Sequence, residues 1–148
     1  MKPLLVLLIS FGLAVFAIKI ISHSYEPALS ARIAMTAMLL FTAIAHFAFS
    51  KGMTLMIPAS FPFRLPIVYL TGFIEIAAAI GLQIASVRNL TGWLLIIFFI
   101  LVLPANIYAA IKHVDYQKGT TQGKGLNYLW FRVPLQIFFI AWTYFCIK

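Results

Sequence analysis

The sequence predicts an all-α integral membrane protein, a four-helix transmembrane bundle preceded by an N-terminal hydrophobic helix, five spans in all. Three observations carry that prediction. Of 148 residues, 64% are apolar and 9% charged, against about 45–50% and about 25% in a soluble domain. A soluble domain of about 150 residues still leaves roughly 30% of its chain surface in water, so a fold of this size has too little interior for so much apolar surface. The apolar residues also fall into five runs close to the roughly 20 residues that cross a hydrocarbon core about 30 Å thick, with turn-forming residues between them.

The first run, Leu4 to Ile21, follows Lys2 and carries Lys19 near its end, where a long side chain reaches the interface. A basic start and a short apolar run also describe a signal peptide, but Ser22-His23-Ser24 is a poor cleavage site, which favours an uncleaved helix. The second run spans Ser30 to Phe49, with Arg32 at its entrance and His46 near its exit. Met53 to Leu65, broken by Pro58 and Pro62, is too short to cross and suits an interfacial or protein-covered segment. The third helix starts at Pro66, whose fixed φ and missing N–H suit a first helical position, and continues to Ala85. Its Gly72, Ala77, Ala78, Ala79 and Gly81 permit close backbone approach, so it is expected to be the most protein-surrounded helix. The fourth, Leu90 to Ile111, holds Pro104 and Asn106 in its last turns, and the fifth, Leu129 to Ile147, holds Arg132, Pro134 and Gln136 in its first. Between these two lies the one soluble-looking loop, Lys112 to Asn127.

The charge balance of +8 would raise nucleic-acid binding in a soluble protein. Here the basic residues stand singly between apolar blocks, as interface charges do, so the predicted partner is the lipid bilayer and not nucleic acid. Strict alternation of five crossings puts Lys2, Lys51, Arg64, Lys112, Lys118, Lys124 and Arg132 on one side and Lys19, Arg32, Arg88 and Lys148 on the other. The richer side is cytoplasmic by the positive-inside rule, which predicts a cytoplasmic N-terminus. A lone cysteine, Cys146, excludes an internal disulfide, a Cys-x-x-Cys pair and a thiolate metal cluster within the chain, and no metal site is expected. His23 and His113 read as surface loop residues. Phe63-Arg64-Leu65-Pro66 and Phe131-Arg132-Val133-Pro134 echo one another, either by convergence on a helix start or by duplication of a helix pair.

An ionisable group near the middle of a span costs about 2.5–3.5 kcal/mol on insertion scales, so it needs a partner, a neutral form or a purpose. Glu75 lies nine residues into the third run, roughly 13 Å down at the helical rise. His46, Asn106, Arg132 and Gln136 converge on the same half of the bundle, and Tyr69 is a candidate for lining the same cavity. Interhelical hydrogen bonding alone explains such a group as packing glue. A midplane acid argues more strongly for a ligand or proton site.

Several segments carry a family likeness. Ala45-His46-Phe47, Met56-Ile57-Pro58, Val68 through Glu75, Gly81-Leu82, Pro104-Ala105-Asn106-Ile107-Tyr108 and Arg132-Val133-Pro134-Leu135-Gln136 resemble, in order, the DoxX family of small bacterial membrane proteins. The resemblance covers the second to fifth helices. It implies a four-helix domain over residues 30–148, with residues 1–24 an added N-terminal helix or signal anchor, in the bacterial inner membrane. It places His46, Glu75, Pro104, Asn106, Arg132 and Gln136 on recurring family positions and implies a redox-associated setting, with a quinone as the candidate cofactor. The chain departs from the family where Phe47-Ala48-Phe49-Ser50-Lys51 stands in place of a proline-containing loop, and it lacks the cysteine pair needed for dithiol chemistry.

Two functions follow as expectations. One is a module that binds a quinone-like or other amphipathic molecule between helices through His46, Tyr69, Glu75, Asn106, Arg132 and Gln136. The alternative is a non-enzymatic membrane subunit or assembly factor that docks a membrane-protein partner or forms a homo-oligomer. A transporter ranks behind both, because five short helices leave little room for alternating access.

Overall fold

A computed structural model describes residues 2–148, and five of its helices are long and apolar enough to cross a membrane. These are α1 (Lys2–Ser22), α2 (Pro27–Ala48), α4 (Arg64–Gly81), α5 (Arg88–Ile111) and α6 (Leu129–Cys146). A five-residue helix, α3 (Ser50–Thr54), follows α2, and a 3₁₀ turn over Gly125–Tyr128 leads into α6. There is no strand among the described residues, only an isolated bridge between Asp115 and Thr120 in the long loop.

Helix α2 is the centre of the bundle. It packs most extensively on α1 and α4, while α5 pairs with α6, and contacts of α2 with α6 and of α4 with α5 join the two halves. Ala31, Ala34, Met35, Met38 and Leu39 are buried with Leu7 of α1, Ala78 and Ala79 of α4, Leu95 and Phe99 of α5 and Phe139 and Cys146 of α6. The expectation that the third long run would be the most enclosed is therefore corrected. Its small residues do let α4 approach closely, but α2 stands between α1 and α4 and loses more of its surface.

Helix α4 also departs from its predicted bounds. It begins two residues before Pro66, which occupies the third helical position, still within the first turn where an N–H has no partner inside the helix. Phe63 sets that start by adopting a left-handed backbone, φ 61°, that turns the chain into the helix. At the other end α4 stops at Gly81 instead of continuing to Ala85. A Cβ at Gly81 would strike Thr91 of α5, and Arg88 Nε donates to the Leu82 carbonyl at 3.2 Å, so the connection folds tightly back into α5.

The sequence echo has two local structures. Phe63 precedes α4 and Arg64 opens it, whereas Phe131 and Arg132 lie inside α6 and Pro134 is an internal proline. The pairing of α2 with α4 and of α5 with α6 fits a duplicated pair at the level of topology. The two motifs nevertheless serve different ends, one starting a helix and the other sending a side chain across to its neighbour.

The ends of the bundle differ in character. Lys2, Lys118, Lys124 and Arg132 line one cavity, and Lys51 joins Lys118 in a second cavity beside it, so the basic residues of the N-terminus, of α3 and of the long loop gather at one end. Gly52 seats that loop: a Cβ there would overlap the Tyr116 backbone carbonyl. At the other end Gln83 Nε2 donates to Thr36 Oγ1 at 2.7 Å, Thr36 Oγ1 donates to the Ala79 carbonyl at 3.1 Å, and Arg32 reaches the Cys146 carbonyl at 3.5 Å. Polar groups thus tie α2 to α4 and α6 by capturing main-chain carbonyls.

Candidate functional site

The buried acid predicted in α4 has a partner from α2. His46 Nε2 lies 3.5 Å from Glu75 Oε1, and Glu75 as a whole is 6% exposed. Gly72 makes the meeting possible, because a Cβ at that position would stand 3.0 Å from His46 Cβ and 3.2 Å from the Phe47 ring. With hydrogen there, the two helices approach closely and the imidazole reaches along α4 to the acid one turn on.

Thr71 orients the ring. Its hydroxyl donates to the Val68 carbonyl at 2.8 Å, so its oxygen is left to accept from His46 Nδ1–H at 3.1 Å. That network assigns a proton to Nδ1 and turns Nε2 toward the carboxyl. His46 Nε2 and Glu75 Oε1 thus face one another across the α2–α4 contact. Glu75 Oε2 is different: it is buried and has no hydrogen-bond partner. An unsatisfied polar atom in an interior costs about 1–3 kcal/mol, which is the energetic opening for a donor supplied from outside the chain.

A second polar locus joins α5 to α6. Arg132 NH1 donates to Asn106 Oδ1 at 2.6 Å, and Gln136 Nε2, one turn further along α6, donates to the Phe99 carbonyl at 2.8 Å. Pro104 lacks the N–H that the Ile100 carbonyl would accept, so α5 is short of donors in this stretch. Gln136 delivers an amide to the adjacent carbonyl. The neighbouring helix thus brings a donor to the proline-disturbed turn, while Asn106 accepts from the guanidinium through its oxygen.

The predicted residues therefore fall into two pairs of helices. His46 and Glu75 meet between α2 and α4, while Asn106, Arg132 and Gln136 act between α5 and α6. Asn106 and Arg132 also open onto a cavity of about 550 Å³ that neither His46 nor Glu75 lines. Tyr69 joins neither group. It stacks on Phe47, with centroids 5.7 Å apart and planes 15° from parallel, on the exposed side of α4.

Thr71 is the residue the sequence reading missed, though its signal was present: it precedes Glu75 by four residues, which places both on one helical face. From sequence the lysines of the long loop carry only an orienting charge. Their convergence with Tyr116 and Tyr128 depends on how the loop folds back over the bundle end. No cluster of three or more His, Cys, Asp or Glu side chains suited to a metal ion occurs among the described residues.

Comparison with known proteins places one boundary on this picture. The sequence model of a family described as a domain of unknown function, DUF8561, matches residues 35–147. That stretch takes in all six predicted site residues and leaves out α1. No curated protein and no solved structure matches the chain.

Proposed function

The chain belongs to the DUF8561 family over the greater part of its length, and from the chemistry of its own buried polar groups we propose that it is a DoxX-like, multi-pass protein of the bacterial inner membrane that binds the polar head of a quinone-like amphipathic molecule at His46 and Glu75. The observation that carries this reading is the orphaned Glu75 Oε2 beside a histidine whose tautomer is fixed. Such a pair offers both kinds of hydrogen bond. Oε2 accepts from a quinol hydroxyl, and the imidazole–carboxyl pair beside it offers a donor to a quinone carbonyl. The surrounding apolar helices suit an isoprenoid or acyl tail, and small-molecule sites typically combine apolar walls with a few placed polar groups.

The test is direct. The full chain, purified in mild detergent, is extracted and examined by absorbance and mass spectrometry, and decylubiquinone is then titrated against tryptophan fluorescence. A bound quinone or lipid-like molecule and at least a tenfold loss of decylubiquinone affinity in Glu75→Gln are expected. The reading is overturned if nothing is extracted and Glu75→Gln binds the probe as the unaltered chain does. A stoichiometric protein partner in place of a small molecule would instead favour an assembly role.

Orientation is proposed with the basic end in the cytoplasm, supported by the gathering of Lys2, Lys51, Lys118, Lys124 and Arg132 at that end. A reporter fused after Lys148 should then read as periplasmic. A cytoplasmic signal would reverse the assignment.

A further inference from the structure

The larger cavity, about 550 Å³, lies outside the His46–Glu75 pair and is strongly unbalanced in charge. Lys2, Lys118, Lys124 and Arg132 line it against a single acid, Asp115. Asp115 is already engaged in shaping the loop, its Oδ1 accepting from the backbone N–H groups of Gln117 at 3.1 Å and Lys118 at 3.2 Å. Lys124 Nζ and Arg132 Cζ stand 5.8 and 5.2 Å from the centroid of the same ring, Tyr128. One aromatic ring thus holds two like charges beside the cavity. Cations gathered around a partly enclosed space repel one another more strongly than in open water, and an anion there relieves that repulsion.

The remaining lining suits an oxyanion with several acceptor oxygens. Gln117 and Gln122 bring amides, and Arg132 has five N–H donors of which Asn106 takes one. The Tyr116 phenol, which burial holds above its ordinary range, adds an O–H to the lining. The volume falls within the roughly 300–1,000 Å³ usual for small-molecule sites.

We propose that this cavity is a binding site for a phosphate-bearing group, held chiefly by Lys124 and Arg132 with Lys118 and Lys2 at its rim. Arg132 supplies a planar fork suited to two phosphate oxygens, and the lysines act as point charges around it. The phosphate has two possible sources, the headgroup of an anionic phospholipid and a diffusible phosphate compound. The site does not depend on the quinone reading, since none of its cations contacts His46 or Glu75.

Titration calorimetry of the full chain in dodecyl maltoside, at low salt, tests it with two probes, dioctanoyl phosphatidylglycerol and inorganic phosphate. The comparison pairs Lys118→Gln/Lys124→Gln with a control at the opposite end, Lys19→Gln/Lys148→Gln. Saturable binding is expected, weakened at least tenfold in the first variant and unchanged in the second, with decylubiquinone affinity unaltered in both. Phosphate that binds and competes with the lipid identifies a diffusible ligand, whereas binding of the lipid alone identifies a headgroup. No saturable binding of either probe, or equal binding by the two variants, overturns the proposal.

Discussion

His46→Leu should lower the apparent Tm of the detergent-solubilised chain more than Glu75→Leu does, and the double substitution should recover much of the loss. The asymmetry follows from what each change leaves behind. Without the imidazole, Glu75 keeps a buried carboxyl with neither oxygen partnered, because Oε2 has no partner already. Removing one member of a buried pair costs about 3–5 kcal/mol. Without the carboxyl, His46 retains Thr71 on Nδ1, and its side chain is 19% exposed, so the ring is not left buried without a partner. Taking about 3 kcal/mol for the first case, and about 2–4 °C per kcal/mol at this chain length, His46→Leu lowers the midpoint by about 6–12 °C. Replacing both by leucine removes the stranded acid and the reason for the loss. If the two single effects simply add, to within about 0.5 kcal/mol, the side chains are not coupled and the description of His46 and Glu75 as a buried pair fails.

The second large effect is expected at Gly72. In Gly72→Leu the new side chain must enter the contact where His46 Cβ and the Phe47 ring stand 3.0 and 3.2 Å from an added Cβ. The Phe47 ring is exposed and can swing aside. His46 Cβ is fixed to the α2 backbone, so that helix itself has to move. Overpacking of this kind costs about 1–3 kcal/mol, and it draws the imidazole away from Glu75, so decylubiquinone affinity should fall together with stability. Gly12 in α1 is the matched control, since a Cβ there meets nothing within 4 Å. Gly12→Ala should be neutral or slightly stabilising through helix propensity, by up to about 1 kcal/mol. Equal melting of Gly72→Leu and Gly12→Ala would show that the α2–α4 contact is looser than described.

Much of the architecture was legible because hydrophobic run length is a one-dimensional signal. The bounds of α5 and α6 lie within two residues of the predicted ones, and the proline-broken stretch after α2 was recognised as unable to form a long helix. The bounds of α4 were harder to read, since they depend on a left-handed Phe63 and on the fit of Gly81 against Thr91, neither of which is periodic. The candidate site was legible as a set of residue types but not as a partition. Depth along a helix can be counted from sequence; which neighbour a helix faces cannot. His46 and Arg132 were therefore grouped together, although one serves α4 and the other α5. Tyr69 shows the opposite case. Six residues from Glu75 is about one and two-thirds turns, a third of a turn off its face, and that arithmetic was available beforehand.

Trp142 has a part-buried setting unlike that of the other two tryptophans. Its indole N–H donates to the Ala31 carbonyl at 3.2 Å, and its ring meets Phe11 of α1 edge-on at 5.1 Å. Trp130 is 86% exposed at the start of α6, and Trp93 is 54% exposed near the start of the antiparallel α5. The chain consequently has three emitters with separate assignments. Two sample the surroundings at opposite ends of the bundle, and the third senses whether the first helix is seated. Trp142 is expected to emit to the blue of the other two and to be poorly quenched, and a shift of that component toward red-shifted emission would report α1 separating from α6.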